Sequence, residues 1–321
     1  MNLLTYKYYN DKHGQGIGGV LQGEISAYLL SIYFNCSFIR SNFFYYKGHD
    51  KNTKKLKWEN LFKFLDQKPS SVIKKNKIIK NLNQLKNKSN YTYNIPFEFS
   101  QKFLKKISIE DKKMIFQKFR NQFWKYNKNL VKEKKIINIV LHLRNFSPGD
   151  TVFGDKSLIY QIFSYDYRLP NNNPKFYSNW YSELVLEIIK KNRIKKRNMQ
   201  IYICSTGKMA DFLEIKKKLK QLGKVKIRLN YSSYSDFKLL ISADHFIMAQ
   251  SSFSYLASLI NKNNKYIRNG FRHNLSPDVQ IIKDYDLQNF SFINYLYNNF
   301  LTFLFRIRLK IIDILFKKIK I

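Results

Sequence analysis

His142 and Arg144 stand two residues apart at the end of an apolar run, and Asp150 follows after five more residues. An imidazole, a guanidinium and a carboxylate in this order suit a polar, phosphorylated ligand. The guanidinium can fork onto phosphate oxygens, and it stays charged throughout the physiological range. The run before them, Ile136 to Leu141, is short and β-branched, with lysines ahead of it (Lys132, Lys134, Lys135) and turn residues behind it (Ser147, Pro148, Gly149). That pattern predicts a buried strand of a parallel sheet. Residues two apart on a strand share a face, so His142 and Arg144 should point the same way. Ligands of open α/β sheets bind beyond the carboxyl ends of the strands. A surface strand end with incidental charge accounts for the same three residues, and this stretch alone does not choose between the two.

Two other stretches offer anion chemistry. Gly14, Gly16 and Gly19 match G-x-G-x-x-G between an expected strand, Leu3 to Tyr9, and an expected helix, Val20 to Phe34. A glycine-rich turn opening a helix brings backbone N–H groups to an anion. It serves equally as a plain tight turn. A dinucleotide site also needs an acidic residue after the second strand. Here the strand Cys36 to Ile39 is followed by Arg40, so NAD is not expected. Further on, Gln250-Ser251-Ser252-Phe253-Ser254 links an expected strand, His245 to Ala249, to an expected helix, Tyr255 to Leu259. Its hydroxyls can meet a phosphate, or Ser252 or Ser254 can simply cap the helix. No His/Cys cluster has metal spacing, and Asp284-Tyr285-Asp286 reads as a loop. Neither a metal nor a cofactor is expected.

The elements that must position these residues alternate. Trp180 to Lys191 reads as a helix, Gln200 to Cys204 as a strand and Asp211 to Leu222 as a helix. Val225 to Leu229 is then a strand and Asp236 to Asp244 a helix. Such alternation predicts βαβ units and a parallel sheet. Earlier, Trp58 to Phe62 and Phe97 to Lys128 carry amphipathic helical patterns, and the aromatic stripe of the latter suits a core. The Lys/Asn-rich stretch Lys74 to Asn90 is expected to be an exposed loop or helix.

The 321 residues allow two domains, and a hydrophobic fraction of 44% supplies a core. With 58 Lys+Arg against 22 Asp+Glu, the net charge is +36. The lysines are spread along the whole chain among Asn and Ile. This points to compositional drift plus a membrane contribution rather than to a nucleic-acid module. Cys36 and Cys204 sit in apolar stretches, imply no disulfide framework and are expected to be buried and inert. The amino terminus lacks the charged and apolar regions of a secretory signal, and no run is long and uncharged enough to span a bilayer. The last stretch, Phe290 to Ile321, interleaves Arg306, Arg308, Lys310, Lys317, Lys318 and Lys320 with Ile, Leu and Phe. It reads as a basic amphipathic helix lying on an anionic membrane surface.

Taken in order, the glycine turn, the His142-Leu143-Arg144 block with Asp150, and Asp236 to Ser254 resemble the GDP-fucose-dependent fucosyltransferase superfamily. That superfamily includes bacterial alpha-1,2- and alpha-1,6-enzymes and protein O-fucosyltransferases. The likeness lies in a His-x-Arg motif with a nearby acid (His142, Arg144, Asp150), and in an Asp, Ala-Asp, Ser-Ser series (Asp236, Ala243-Asp244, Ser251-Ser252). A first turn with Gly16, Gly18 and Gln22 also matches, and Trp58-Glu59-Asn60 matches weakly. The chain departs from the pattern at Asn145, where the motif has a second arginine, and at Ser205-Thr206-Gly207-Lys208, where an acidic pair is usual.

The resemblance implies an α/β chain of the GT-B fold, with two Rossmann-like domains with parallel sheets, to which the charge pattern adds the C-terminal basic amphipathic tail. The divisions would be an acceptor-side domain over 1–135, a nucleotide-sugar-binding domain over 136–285 and the tail over 286–321. It implies inverting, metal-independent transfer of fucose from GDP-fucose, or another GDP-sugar, to a glycan acceptor. Surface polysaccharide or lipopolysaccharide synthesis would be the setting, on the cytoplasmic face of the membrane. Arg144 would neutralise the donor β-phosphate, His142 and Asp236 would recognise the guanine end, and Ser251 and Ser252 would contact phosphate. Gly16 and Gly18 would let the first loop approach. Asp150 is the candidate base, with Asp155 and Asp166 as rivals; a turn or cap aspartate accounts for Asp150 as well. The alternatives are a fucosyltransferase-like binding protein without catalysis and a basic nucleic-acid-associated protein.

Overall fold

The computed structural model describes residues 3–6, 17–40, 55–66, 76–79, 81, 83–86, 92–130, 136–143, 174–269 and 274–283. The described strands form two sheets, and all their pairings are parallel. The first sheet contains β1 (Leu3–Thr5), β2 (Ser37–Ile39), β3 (Asn76–Ile78) and β4 (Thr92–Asn94) in the order β2-β1-β4-β3. The second contains β5 (Ile137–His142), β6 (Met199–Ser205), β7 (Lys224–Leu229), β8 (His245–Met248), β9 (Asn264–Arg268) and β10 (Val279–Ile282). Its order is β10-β9-β8-β5-β6-β7. Counted from the β7 edge, the strands run third, second, first, fourth, fifth, sixth. This is the doubly wound order of nucleotide-binding sheets, and its direction reverses between β5 and β8.

Helices cover both faces of the second sheet. These are α6 (Pro174–Lys191), α7 (Leu213–Leu222), α8 (Ser233–Ile241) and α9 (Ser252–Ile260). The first half of the chain supplies α1 (Ile17–Tyr33), α2 (Lys55–Leu61), α3 (Asn83–Lys86), α4 (Phe97–Lys106) and α5 (Ile109–Tyr126). Alternate strand residues feed separate cores. Val140, Cys204, Phe246 and Met248 join a core shared with the first sheet's helices. Ile139, Leu141, Ile201, Ile203 and Ile247 pack instead with Trp180, Leu184 and Ile188 of α6 and Leu219 of α7. The two-residue period of a strand dictates this sorting.

Helix α1 is buried without interruption from Leu21 to Ser31. Such a helix belongs in the centre of a domain rather than at its surface, and its buried polar residues Gln22, Glu24, Ser26 and Ser31 must find partners there. Helix α5 is the opposite kind. Ser108 caps it by accepting the Asp111 N–H at 3.0 Å, Glu110 and Asp111 favour its positive end, and Ile115, Phe116, Phe119 and Phe123 form one buried stripe.

Helix α5 also ties the two halves together. Arg120 Nε donates to the Leu259 carbonyl at 3.2 Å and Trp124 Nε1 to that of Ile260 at 2.9 Å. Both satisfy carbonyls that the end of α9 leaves without an intrahelical partner. Arg120 continues to Asp278 at 2.9 Å, where the buried Lys265 meets the same carboxylate at 2.7 Å. Burial alone would raise the Asp278 pKa, but the hydrogen bonds of Lys265 and Ser276 and the charge of Arg120 bring it down to about 2.

Several elements differ from expectation. The Lys74 to Asn90 stretch contains β3 and α3 rather than only a loop or helix. Strand β3 lies at the sheet edge, where lysine is tolerated because one side faces solvent. Strands β4, β9 and β10 were not expected, and β9 hides behind a lysine that proves to be fully buried. Helices α1, α6, α8 and α9 start three or more residues earlier than the hydrophobic pattern indicates, at Ile17, Pro174, Ser233 and Ser252. Their first turns are built of Gly, Pro and Ser, which read as loop. Cys204 is buried as expected, whereas Cys36 is only half-buried. The basic stretch Phe290 to Ile321 lies outside the described residues. Among the described residues, no helix is long and apolar enough to cross a membrane.

Candidate functional site

In sheets of this order, ligands bind in the crevice beyond the carboxyl ends of the strands that flank the reversal, which here are β5 and β8. His142 is the last residue of β5, aligned with Cys204 on β6. The extended backbone continues one residue further, because the Leu143 N–H donates to the Cys204 carbonyl at 3.0 Å. Beyond β8, the chain turns through Ala249, Gln250 and Ser251 into α9.

The serine turn is organised from within. Ser251 is the N-cap of α9, and its hydroxyl accepts the Ser254 N–H at 3.0 Å. Neither Ser252 nor Ser254 is the cap. Ser252 is the first helical residue. Ser254 Oγ accepts the Ala249 N–H at 3.0 Å and lies 2.6 Å from His142 Nδ1. The direction of this bond sets the tautomer: a hydroxyl that donates to Nδ1 keeps the imidazole proton on Nε2, and one that accepts from Nδ1 leaves Nε2 an acceptor. Ser254 thereby joins the two strand ends that flank the crevice.

Gly18 brings the first half of the chain to the same place. A Cβ there would stand 2.6 Å from the Phe253 nitrogen and 2.8 Å from the Ser252 carbonyl carbon. Only a residue without Cβ lets the start of α1 lie against the start of α9 this closely. Gly18→Ala is therefore expected to force the two backbones apart, at a cost of about 1–3 kcal/mol typical of overpacking. A thermal melt measures this, and an unchanged Tm would mean that the contact yields freely.

Beneath the crevice is an aromatic cluster. The His142 ring lies 5.5 Å from Phe253, Phe253 lies 5.6 Å from Phe237, and Trp58 of α2 reaches Phe237 at 5.1 Å. Trp58 is fully buried. It supports the site through packing, across from the first half of the chain.

Asp236 sits in the first turn of α8, largely buried. It is not the cap, since Ser232 fills that position. Its Oδ1 accepts from Arg228 Nε at 2.9 Å, and Arg228 Nη2 donates to Ser235 Oγ at 2.8 Å. Burial would lower the Arg228 pKa, but the hydrogen bond and charge of Asp236 outweigh it and raise it. Burial first, and Asp236 second, push the neighbouring Cys204 thiol far up. Cys204 is consequently a protonated, inert thiol at neutral pH.

No family model and no curated protein matches the sequence. Among solved structures, the chain is similar to POFUT1 in complex with GDP-fucose, at 12% identity and a TM-score of 0.38, covering 87% of this chain and 97% of that one. It is similar to POFUT1 in complex with GDP at 13% identity and a TM-score of 0.38, with the same coverage of 87% and 97%. It is also similar to the E. coli heptosyltransferase WaaC with ADP, at 10% identity and a TM-score of 0.39, covering 88% of this chain and 93% of that one.

Of the residues singled out in the sequence, His142, Ser251, Ser252 and Gly18 converge on the β5/β8 crevice. Asp236 lies to the side of them, against Arg228 of β7 and Cys204 of β6. Gly16, Arg144 and Asp150 lie outside the described residues, as do Asp155 and Asp166. Among the described residues, no group of three His, Cys, Asp or Glu side chains converges as metal ligands. Ser254 and Arg228 were missed as site residues. In the sequence Ser254 is one hydroxyl of a serine turn, a phosphate contact or a cap, with nothing to tie it to His142, and Arg228 is one more basic residue in a basic chain.

Proposed function

We propose that the chain is a nucleotide-sugar glycosyltransferase of GT-B architecture, inverting and metal-independent, that transfers fucose from GDP-fucose to a glycan hydroxyl. The observation that carries this reading is the convergence of Gly18, His142 and the Ser251–Ser254 turn at the point where the strand order reverses. These are three of the blocks that carry the resemblance, and they come from stretches over a hundred residues apart.

The chemistry follows from the residues. As the glycosidic bond breaks, negative charge grows on the leaving diphosphate. Arg144, His142 and the start of α9 would stabilise it. The acceptor hydroxyl loses its proton to a carboxylate, with Asp150 first among Asp150, Asp155 and Asp166. Asp236, already oriented by Arg228, would read the guanine edge. Residues 286–321 would hold the enzyme at the cytoplasmic face of an anionic membrane, a reading that liposome co-sedimentation at physiological salt would sink if no binding is seen. Asn145, in place of a second arginine, favours a second reading: a chain that binds the donor without transferring it.

Isothermal titration with GDP, GDP-fucose, GDP-mannose and UDP tests the assignment. Saturable binding of the GDP compounds in preference to UDP is expected. A folded chain that binds none of the four rules out the nucleotide-sugar reading. Donor turnover then separates an active enzyme from a binding protein.

A further inference from the structure

We infer that Tyr231, backed by Arg228, is the platform on which the donor's nucleobase stacks; this rests on the reading of the β5/β8 crevice as a diphosphate site. Tyr231 is the second residue after β7 and is 55% exposed. The Arg228 guanidinium lies 4.1 Å from the ring centroid. An arginine so close covers one face, so the exposure falls on the rim of the ring and its other face. Arg228 is itself held by Asp236 and Ser235 and is only 21% exposed, so it cannot swing into solvent. The stack is thus anchored from below, unlike a pair of mobile surface side chains.

The mount is rigid as well. Asn230, at φ 57°, donates its Nδ2 to the Gly207 carbonyl at 3.0 Å and accepts the Gly207 N–H on Oδ1 at 3.0 Å. This reciprocal pair locks the turn after β7 to the turn after β6. Gly207 has φ 118°, a conformation open to glycine and strained for other residues. The turn after β6 consists of Thr206, Gly207 and Lys208, so the part next to the strand end is small and Lys208 stands at its far side.

The spacing fits a nucleoside. Strands in a sheet are 4.7–4.9 Å apart, so the end of β7 lies about 10 Å from that of β5. A diphosphate in the β5/β8 crevice would run its ribose over the small residues after β6 and set its base at β7. Every base offers a π face, and a purine offers the larger one.

Titration of the full chain with GDP, UDP and pyrophosphate, using wild type, Tyr231→Ala and Tyr231→Phe, tests the platform. Tyr231→Ala should weaken GDP binding on the order of tenfold to a hundredfold and leave pyrophosphate unchanged. Tyr231→Phe, which keeps the π face, should bind GDP within about twofold of wild type. Undiminished GDP binding by Tyr231→Ala overturns the inference. So does a parallel loss of pyrophosphate binding, which would mark a structural role. Wild-type protein that binds pyrophosphate as tightly as GDP overturns the platform but keeps the phosphate site, whereas binding of neither overturns both.

Discussion

Glu24→Ala is expected to destabilise the chain by about 3–5 kcal/mol, the cost of leaving a buried charge without its counter-ion. Glu24 lies in the middle of α1, with its side chain 1% exposed, and Arg40 follows β2 with 9%. Arg40 Nε donates to Glu24 Oε1 at 2.5 Å and its Nη2 to Oε2 at 3.0 Å, so the pair is bidentate. Arg40 also reaches the Glu59 carbonyl at 3.3 Å. Removing the carboxylate strands a guanidinium inside the first half of the chain. Against a typical total of about 5–15 kcal/mol, that loss is severe. The control is Glu24→Met with Arg40→Met, which replaces both charges by apolar groups of similar length. It should recover most of the stability, since the Coulombic gain of a buried pair does little more than offset its desolvation. Chemical denaturation of the three proteins measures this. A single variant as stable as wild type would show that water reaches Arg40 freely.

The same pair shows why part of the chain could be read from sequence and part could not. Arg40 was noticed because it stands where a dinucleotide site needs an acid. Its partner is sixteen residues earlier on a different element, and no local pattern connects them. The second sheet was legible because β5, β6 and β8 are apolar, β7 alternates Val225, Ile227 and Leu229 with basic residues, and helical patterns separate them. Strand β9 was not, because Lys265 breaks the pattern. Its ammonium is satisfied by two backbone carbonyls and Asp278, a solution that only the folded chain provides. At the site, His142 and Ser251 were visible by type and position. The role of Ser254 was not, because its link to His142 spans 112 residues and exists only once β5 and β8 lie side by side. The strand order that makes them neighbours is a tertiary fact with no signature of its own in the chain.

Arg144→Ala is expected to abolish transfer and to weaken GDP binding by about 1.5–3 kcal/mol, roughly ten- to a hundredfold, in a protein that still folds. The expectation starts from β5. His142 ends that strand at the crevice, and the backbone stays extended through Leu143, which is buried and paired to β6. Arg144 is the next residue in the sequence, two beyond His142. Its own placement lies outside the described residues, so the prediction rests on this position and on the His-x-Arg pattern. Transfer should suffer more than binding. On the proposed reading the ground-state diphosphate charge would be shared with the start of α9, while the charge that grows as the sugar departs would need an additional cation. Asn145 cannot substitute, being uncharged. Arg144→Lys distinguishes charge from geometry: a lysine restores the charge but not the fork, so it should recover much of the GDP affinity and little of the transfer. Both are measured by titration with GDP and by donor turnover, with a thermal melt to verify folding. A folded Arg144→Ala protein with wild-type GDP affinity would remove Arg144 from the phosphate site and leave His142 and the serine turn to hold the donor alone.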